Sequence, residues 1–112
     1  MHASPLTALA SFPETHLLAT GAYDGAVCMW DASRFPLRTL WRFQAADLVN
    51  HLQFSRDGRK VAVAAADGFV HVLDATDGSF CGQLGPHGDD VNAVAWHPNG
   101  RLLACVMDAK DV

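Results

Sequence analysis

No run in this chain approaches the roughly 18 consecutive apolar residues that a membrane-spanning helix needs. The N-terminal MHASPLTALASFPE has neither the basic lead nor the long apolar centre of a secretory signal. Positive charge is also scarce: eight Lys and Arg stand against twelve Asp and Glu, for a net charge of −4. That balance repels phosphate backbones and leaves no basic footprint for nucleic acid, since Arg56, Arg59 and Lys60 form the one cluster and lie around a turn. The three cysteines, Cys28, Cys81 and Cys105, are odd in number and widely spaced, with no Cys-x-x-Cys, so neither a disulfide framework nor a zinc site is indicated. An intracellular setting, cytoplasmic or nuclear, is the expectation. No window sustains the i, i+3, i+4 pattern of an amphipathic helix.

The motifs of catalysis are missing too. No serine sits in a Gly-x-Ser-x-Gly elbow. The six histidines (His2, His16, His51, His71, His87 and His97) are dispersed without ligand spacing, and DATDG at 74–78 lacks the alternating carboxylates of a calcium loop. Neither a cofactor nor a metal is expected, and enzymatic activity is not.

What the chain does have is a globular composition, 50% apolar residues over a length of 112, and an internal repeat. Asp24-Gly25 recurs 43 residues on as Asp67-Gly68, and Trp30-Asp31 recurs at the same offset as Leu73-Asp74. VNHLQFSRDGRKVAVAA from Val49 returns 42 residues on as VNAVAWHPNGRLLACVM from Val91. Carried back, the first copy begins at Leu6 with LTALASFPETHLLATGA. The Asx-Gly pairs at Asp57, Asp67, Asp77 and Asn99 supply the positive-φ residues of tight hairpin turns. Between them HLQFS, KVAVAA, FVHVLD and FCGQL read as four short strands. Trp41 and Phe43, on the outermost strand of the first copy, read as edge-strand packing rather than an exposed contact.

Four antiparallel strands per ~43 residues is the unit of a propeller blade, and here the chain resembles the WD-repeat β-propeller family. The resemblance runs from His2 to Val112. It implies an all-β fold, a partial β-propeller of four-stranded antiparallel blades over residues 2–44, 45–86 and 87–112, the third blade truncated. It also implies that the chain is a piece of a larger ring, completed by the rest of a parent chain or by self-assembly.

The family's buried tetrad joins a His before strand a, a hydroxyl on strand b, the Asp of the b–c turn and a Trp on strand c. In this sequence the resemblance assigns His2, Ala22, Asp24 and Trp30 to the first blade, so the hydroxyl is expected to be missing. The second blade has Ala45, Ala65, Asp67 and Leu73 and should rely on packing. The third keeps His87, with Met107 and Ala109 in the next two slots. Family geometry further places partner-binding positions on the top face: Pro5, Thr7 and Tyr23; Leu48, Asn50 and Ala66; Asp90, Asn92 and Asp108. Tyr23 is the expected anchor, because Tyr is enriched at interface hot spots, and the two Asp would favour a Lys- or Arg-bearing peptide. The same positions are equally what solvated loop residues would occupy. The implied function is a non-catalytic scaffold or adaptor for other proteins or peptides in a larger complex, with no membrane partner. A propeller-fold hydrolase and a nucleic-acid-associated propeller subunit are the alternatives.

Overall fold

A computed structural model of the chain describes residues 4–84, 91–96 and 102–107, with side chains described for 4–84 and 94–96. Ten strands follow one another along the chain: β1 (Leu6–Phe12), β2 (Leu17–Ala22), β3 (Ala26–Asp31), β4 (Arg38–Gln44), β5 (Val49–Phe54), β6 (Lys60–Ala65), β7 (Val70–Asp74), β8 (Phe80–Leu84), β9 (Val91–Trp96) and β10 (Leu102–Met107). A 3-10 turn, Pro13–Thr15, joins β1 to β2. β1 to β4 form one four-stranded meander, β5 to β8 a second, and β9 pairs with β10. Every pairing is antiparallel.

The strands begin and end where the turn chemistry dictates. Asp24, Asp57, Asp67 and Asp77 each accept, through Oδ1, the backbone N–H two residues on, at 2.9–3.0 Å. A carboxylate used this way closes an Asx turn, and the glycine that follows takes up the positive φ. Gly25 has φ 88° and Gly68 φ 86°. Each reversal therefore brings a strand back beside its predecessor after only three to five residues.

The central strand β6 of the middle sheet is apolar on both faces because that sheet is covered on both sides. In β6, Val61 and Val63 face the first sheet while Ala62 and Ala64 face β9, and all four are fully buried. Val27 and Met29 of β3 join Val49, Leu52, Val63 and Leu73 in the core between the first two sheets. Burying one such Val is worth about 1.5–3 kcal/mol. The approach is closest at Gly21, where a Cβ would sit 2.4 Å from Val49 Cγ1. Only a residue without a side chain lets β2 lie so near β5.

Polar contacts fasten neighbouring blades at the repeat interval. Thr7 Oγ1 donates to the Val49 carbonyl, Trp96 Nε1 donates to the Gln53 carbonyl at 2.9 Å, and the Val94 N–H donates to His51 Nδ1 at 3.1 Å. Trp41 is buried against the 75–78 loop, with Gly78 beneath its ring and its indole N–H on the Ala75 carbonyl at 2.9 Å. It packs between blades, as its outer-strand position implied.

Candidate functional site at the blade rims

The two b–c turns, 22–26 and 65–69, stand at the same end of their sheets and are built alike. Gly25 N–H donates to the Ala22 carbonyl at 3.1 Å and Gly68 N–H to the Ala65 carbonyl at 3.3 Å. Each turn is tied back to the segment entering its first strand: Tyr23 N–H donates to the Pro5 carbonyl at 3.0 Å and Ala66 N–H to the Leu48 carbonyl at 2.8 Å. Pro5 thus adjoins Tyr23, and Leu48 adjoins Ala66, one rung apart in each blade. The side chains diverge. Tyr23 is 65% exposed, whereas Ala66 and Leu48 are half-buried. Thr7 is exposed, but its hydroxyl is committed to the Val49 carbonyl, so it fastens the two blades. Asn50 is half-buried and has an interaction partner. Asn92 lies in β9, with its side chain outside the described residues, and Asp90, Asp108, His2 and His87 fall outside them altogether.

Beneath the first rim the polar core differs from the sequence expectation in one respect. Trp30 Nε1 donates to Thr20 Oγ1 at 2.9 Å, so the hydroxyl is present, and it belongs to Thr20 rather than to the Ala22 slot. Residues two apart on a strand share a face, so Thr20 lies on the face of the Ala22 slot, two residues further from the turn. Thr20 is buried, and its antiparallel partner across the ladder is Cys28. Cys28 is buried in turn, and burial pushes its thiol pKa up, which keeps it protonated and unreactive.

The second blade carries aliphatic groups at the same register. Val63 stands where Thr20 does and Leu73 where Trp30 does, both fully buried in the inter-blade core. Packing replaces hydrogen bonding there, as the sequence implied. One polar pair survives, and the sequence reading missed it. His71, opposite Val63 as Cys28 is opposite Thr20, places Nε2 3.3 Å from Asp67 Oδ2. A carboxylate only accepts, which assigns the proton to Nε2. The imidazole is buried against Phe43 and Phe69, at ring centroid distances of 5.4 and 6.0 Å, and its Nδ1 has no hydrogen-bond partner among the described residues. The signal available was a His four residues after the turn Asp, on strand c rather than before strand a. Among the described residues no group of three His, Cys, Asp or Glu side chains could hold a metal ion.

A model of the anaphase-promoting complex subunit 4 WD40 domain matches residues 9–89, and one of the WD domain, G-beta repeat, matches residues 78–110. This chain belongs to the WD40-repeat family. It is 32% identical over 108 residues to a chromatin assembly factor 1 subunit FAS2 homolog of Oryza sativa subsp. japonica, covering 92% of this chain and 21% of that protein. It is 29% identical over 111 residues to THO complex subunit 3 of Arabidopsis thaliana, covering 98% of this chain and 34% of the relative. Among solved structures, Sqt1 of Saccharomyces cerevisiae superposes with a TM-score of 0.77 at 20% identity, over 87% of this chain and 27% of that one. A chain of the mitotic checkpoint complex superposes with a TM-score of 0.78 at 25% identity, over 88% and 29%. The chain spans about a fifth to a third of the length of the curated relatives it matches. The all-β propeller architecture of this WD40 chain is therefore shared with proteins several times its length. No helix among the described residues is long and apolar enough to cross a membrane.

Proposed function

We propose that this WD40 segment is part of a non-catalytic, intracellular protein-interaction scaffold that offers its top rim to a protein or peptide partner. The observation that carries the reading is Tyr23: a large aromatic side chain, 65% exposed, on a turn pinned from both sides by the Pro5 carbonyl and by the Asp24 Asx turn. A rigid, exposed aromatic with a polar tip loses little entropy on binding and contributes heavily when buried. Support of a coarser kind comes from relatives named as subunits of chromatin assembly factor 1 and of the THO complex. Asn50, Leu48 and Ala66 would form the shallower second half of the rim, and Asn92, Asp90 and Asp108 its acidic continuation toward a basic partner segment.

Hydrolase chemistry is less well supported, because in the His71–Asp67 pair the imidazole packs against two Phe rings and the carboxylate already accepts the Phe69 N–H. Quantitative affinity purification of the full-length protein tests the scaffold reading. Tyr23→Ala should lower the recovery of its specific partner about tenfold or more, as loss of a hot-spot aromatic does, while the protein's thermal midpoint stays put. Unchanged recovery with Tyr23→Ala would remove Tyr23 from the interface and with it the top-rim assignment.

A further inference from the structure

At the opposite rim, the connection between β3 and β4 carries a second surface of different chemistry. Residues 32–37 read ASRFPL, and with the flanking Asp31 and Arg38 they border an open pocket of about 230 Å³ lined by Asp31, Arg34, Pro36 and Arg38. Phe35, between two lining residues, is 88% exposed, the most exposed large apolar side chain among the described residues. Asp31 is already engaged. Its Oδ1 accepts the Ser33 N–H at 2.9 Å, and the Ser33 hydrogen bonds hold its carboxyl below the ordinary range. Its Oδ2 lies 3.8 Å from Arg38 Nη2, well beyond the roughly 2.7–2.9 Å of a charge-assisted hydrogen bond. Asp31 therefore orients Arg38 without consuming its donors, and Arg34 adds a second guanidinium beside it. Two cationic forks and a bare aromatic ring, on a protein whose net charge is −4, form a locally positive, apolar-tipped surface.

We propose that the 31–38 loop is a docking site for an acidic protein segment, an oxyanion of which seats between Arg34 and Arg38 while a neighbouring apolar side chain covers Phe35. Guanidinium groups match oxyanions bidentately, and exposed aromatics cluster at interface anchors. Nucleic acid is a poorer fit, because two arginines next to a carboxylate offer no track for successive phosphates. The site lies on the rim away from Tyr23 and stands or falls separately from the top-rim reading.

The test is fluorescence anisotropy of the full-length protein with a fluorescein-labelled Asp-Glu-Phe-Asp-Glu peptide. Its Asn-Gln-Phe-Asn-Gln counterpart, a version with phosphoserine in place of the first Asp, and a single-stranded oligonucleotide serve as the other arms. Saturable binding to the acidic peptide is expected, weakened about tenfold or more by Arg34→Glu or Arg38→Glu and about fivefold by Phe35→Ser, as for interface anchors. Arg34→Lys should bind between the two extremes, and Tyr23→Ala should bind as the parent does. Tighter binding of the phosphoserine peptide would assign the oxyanion to phosphate, and equal binding would assign it to carboxylate; either agrees with the proposal. Four results would overturn it: no saturable binding, equal binding of the neutral peptide, indifference to Arg34→Glu in a chain that still melts normally, or tighter binding of the oligonucleotide. A peptide lost with Tyr23→Ala but not with Arg34→Glu would move it to the top rim.

Discussion

The first and second blades share a four-stranded antiparallel meander and the same b–c turn, yet the corresponding face of each sheet is built in two ways. In the first blade that face carries Thr20, Cys28 and Trp30, with an indole-to-hydroxyl hydrogen bond of 2.9 Å. In the second the same register carries Val63, His71 and Leu73, and the two aliphatics sit in the core against Val27 and Met29. Above these two faces the turns are nearly superposable in their hydrogen bonds, Asp24 with the Ala26 N–H and Asp67 with the Phe69 N–H. The Asx-Gly turn thus holds its shape over either core. What the core decides is how a blade loses stability, and what the turn decides is which side chain reaches the rim: Tyr23 in one blade, Ala66 in the other.

The largest way to break that comparison is Leu73→Ala. A fully buried leucine in the shared core should cost about 2–5 kcal/mol, read as a shift in the denaturant midpoint with little change in slope. Gly21→Ala attacks the same seam from the other side. A Cβ placed 2.4 Å from Val49 Cγ1 must push β2 from β5, and overpacking of this kind costs about 1–3 kcal/mol.

Smaller effects separate the polar core from the apolar one. Thr20→Val removes the acceptor of the Trp30 indole in the first blade and should cost about 1–2 kcal/mol. Its mirror, Val63→Thr, should also destabilise, because a hydroxyl buried among Val61, Leu73 and Met29 is desolvated without an assigned partner. His71→Phe should change stability by less than about 1 kcal/mol, since it loses the contact with Asp67 Oδ2 but also removes a buried, unpartnered Nδ1. Thermal or urea melts of these three variants in one background would show whether the two blades exchange hydrogen bonding for packing.

The smallest effect is a pH dependence at the tie between the second and third blades. His51 accepts the Val94 N–H through Nδ1, and burial lowers its pKa below the ordinary imidazole value. The folded chain therefore binds fewer protons at this site than the unfolded chain does. Its contribution is complete above the unfolded pKa of about 6.5 and declines as pH falls below that value toward the folded one. His51→Gln should flatten the part of the decline owed to this residue, measured as the difference in urea midpoints between neutral and mildly acidic buffer.

Turn positions and strand limits were legible in the sequence because Asp-Gly pairs act locally: β2, β3 and the turn between them fall where TGAYDGAVCMWD implies. The polar core was less legible because a repeat register aligns positions along the chain, whereas a hydrogen bond depends on the diagonal between two strands. Thr20, two residues before Ala22 on the same face, reaches Trp30 across β2 and β3. His71 was hidden for another reason: it meets Asp67 from strand c, where a Cys stands in the first copy. Tyr23, the residue before the turn Asp, is exposed, and binding experiments test what it meets.

The most direct of these is site-specific photo-crosslinking in the full-length protein, with benzoylphenylalanine replacing Tyr23 in one version and the exposed Glu14, on the other rim, in a second. A scaffold that works through its top rim should give a discrete, reproducible protein adduct from position 23 that is absent from position 14. Equal adduct patterns from the two positions, or none from position 23 above background, would contradict it.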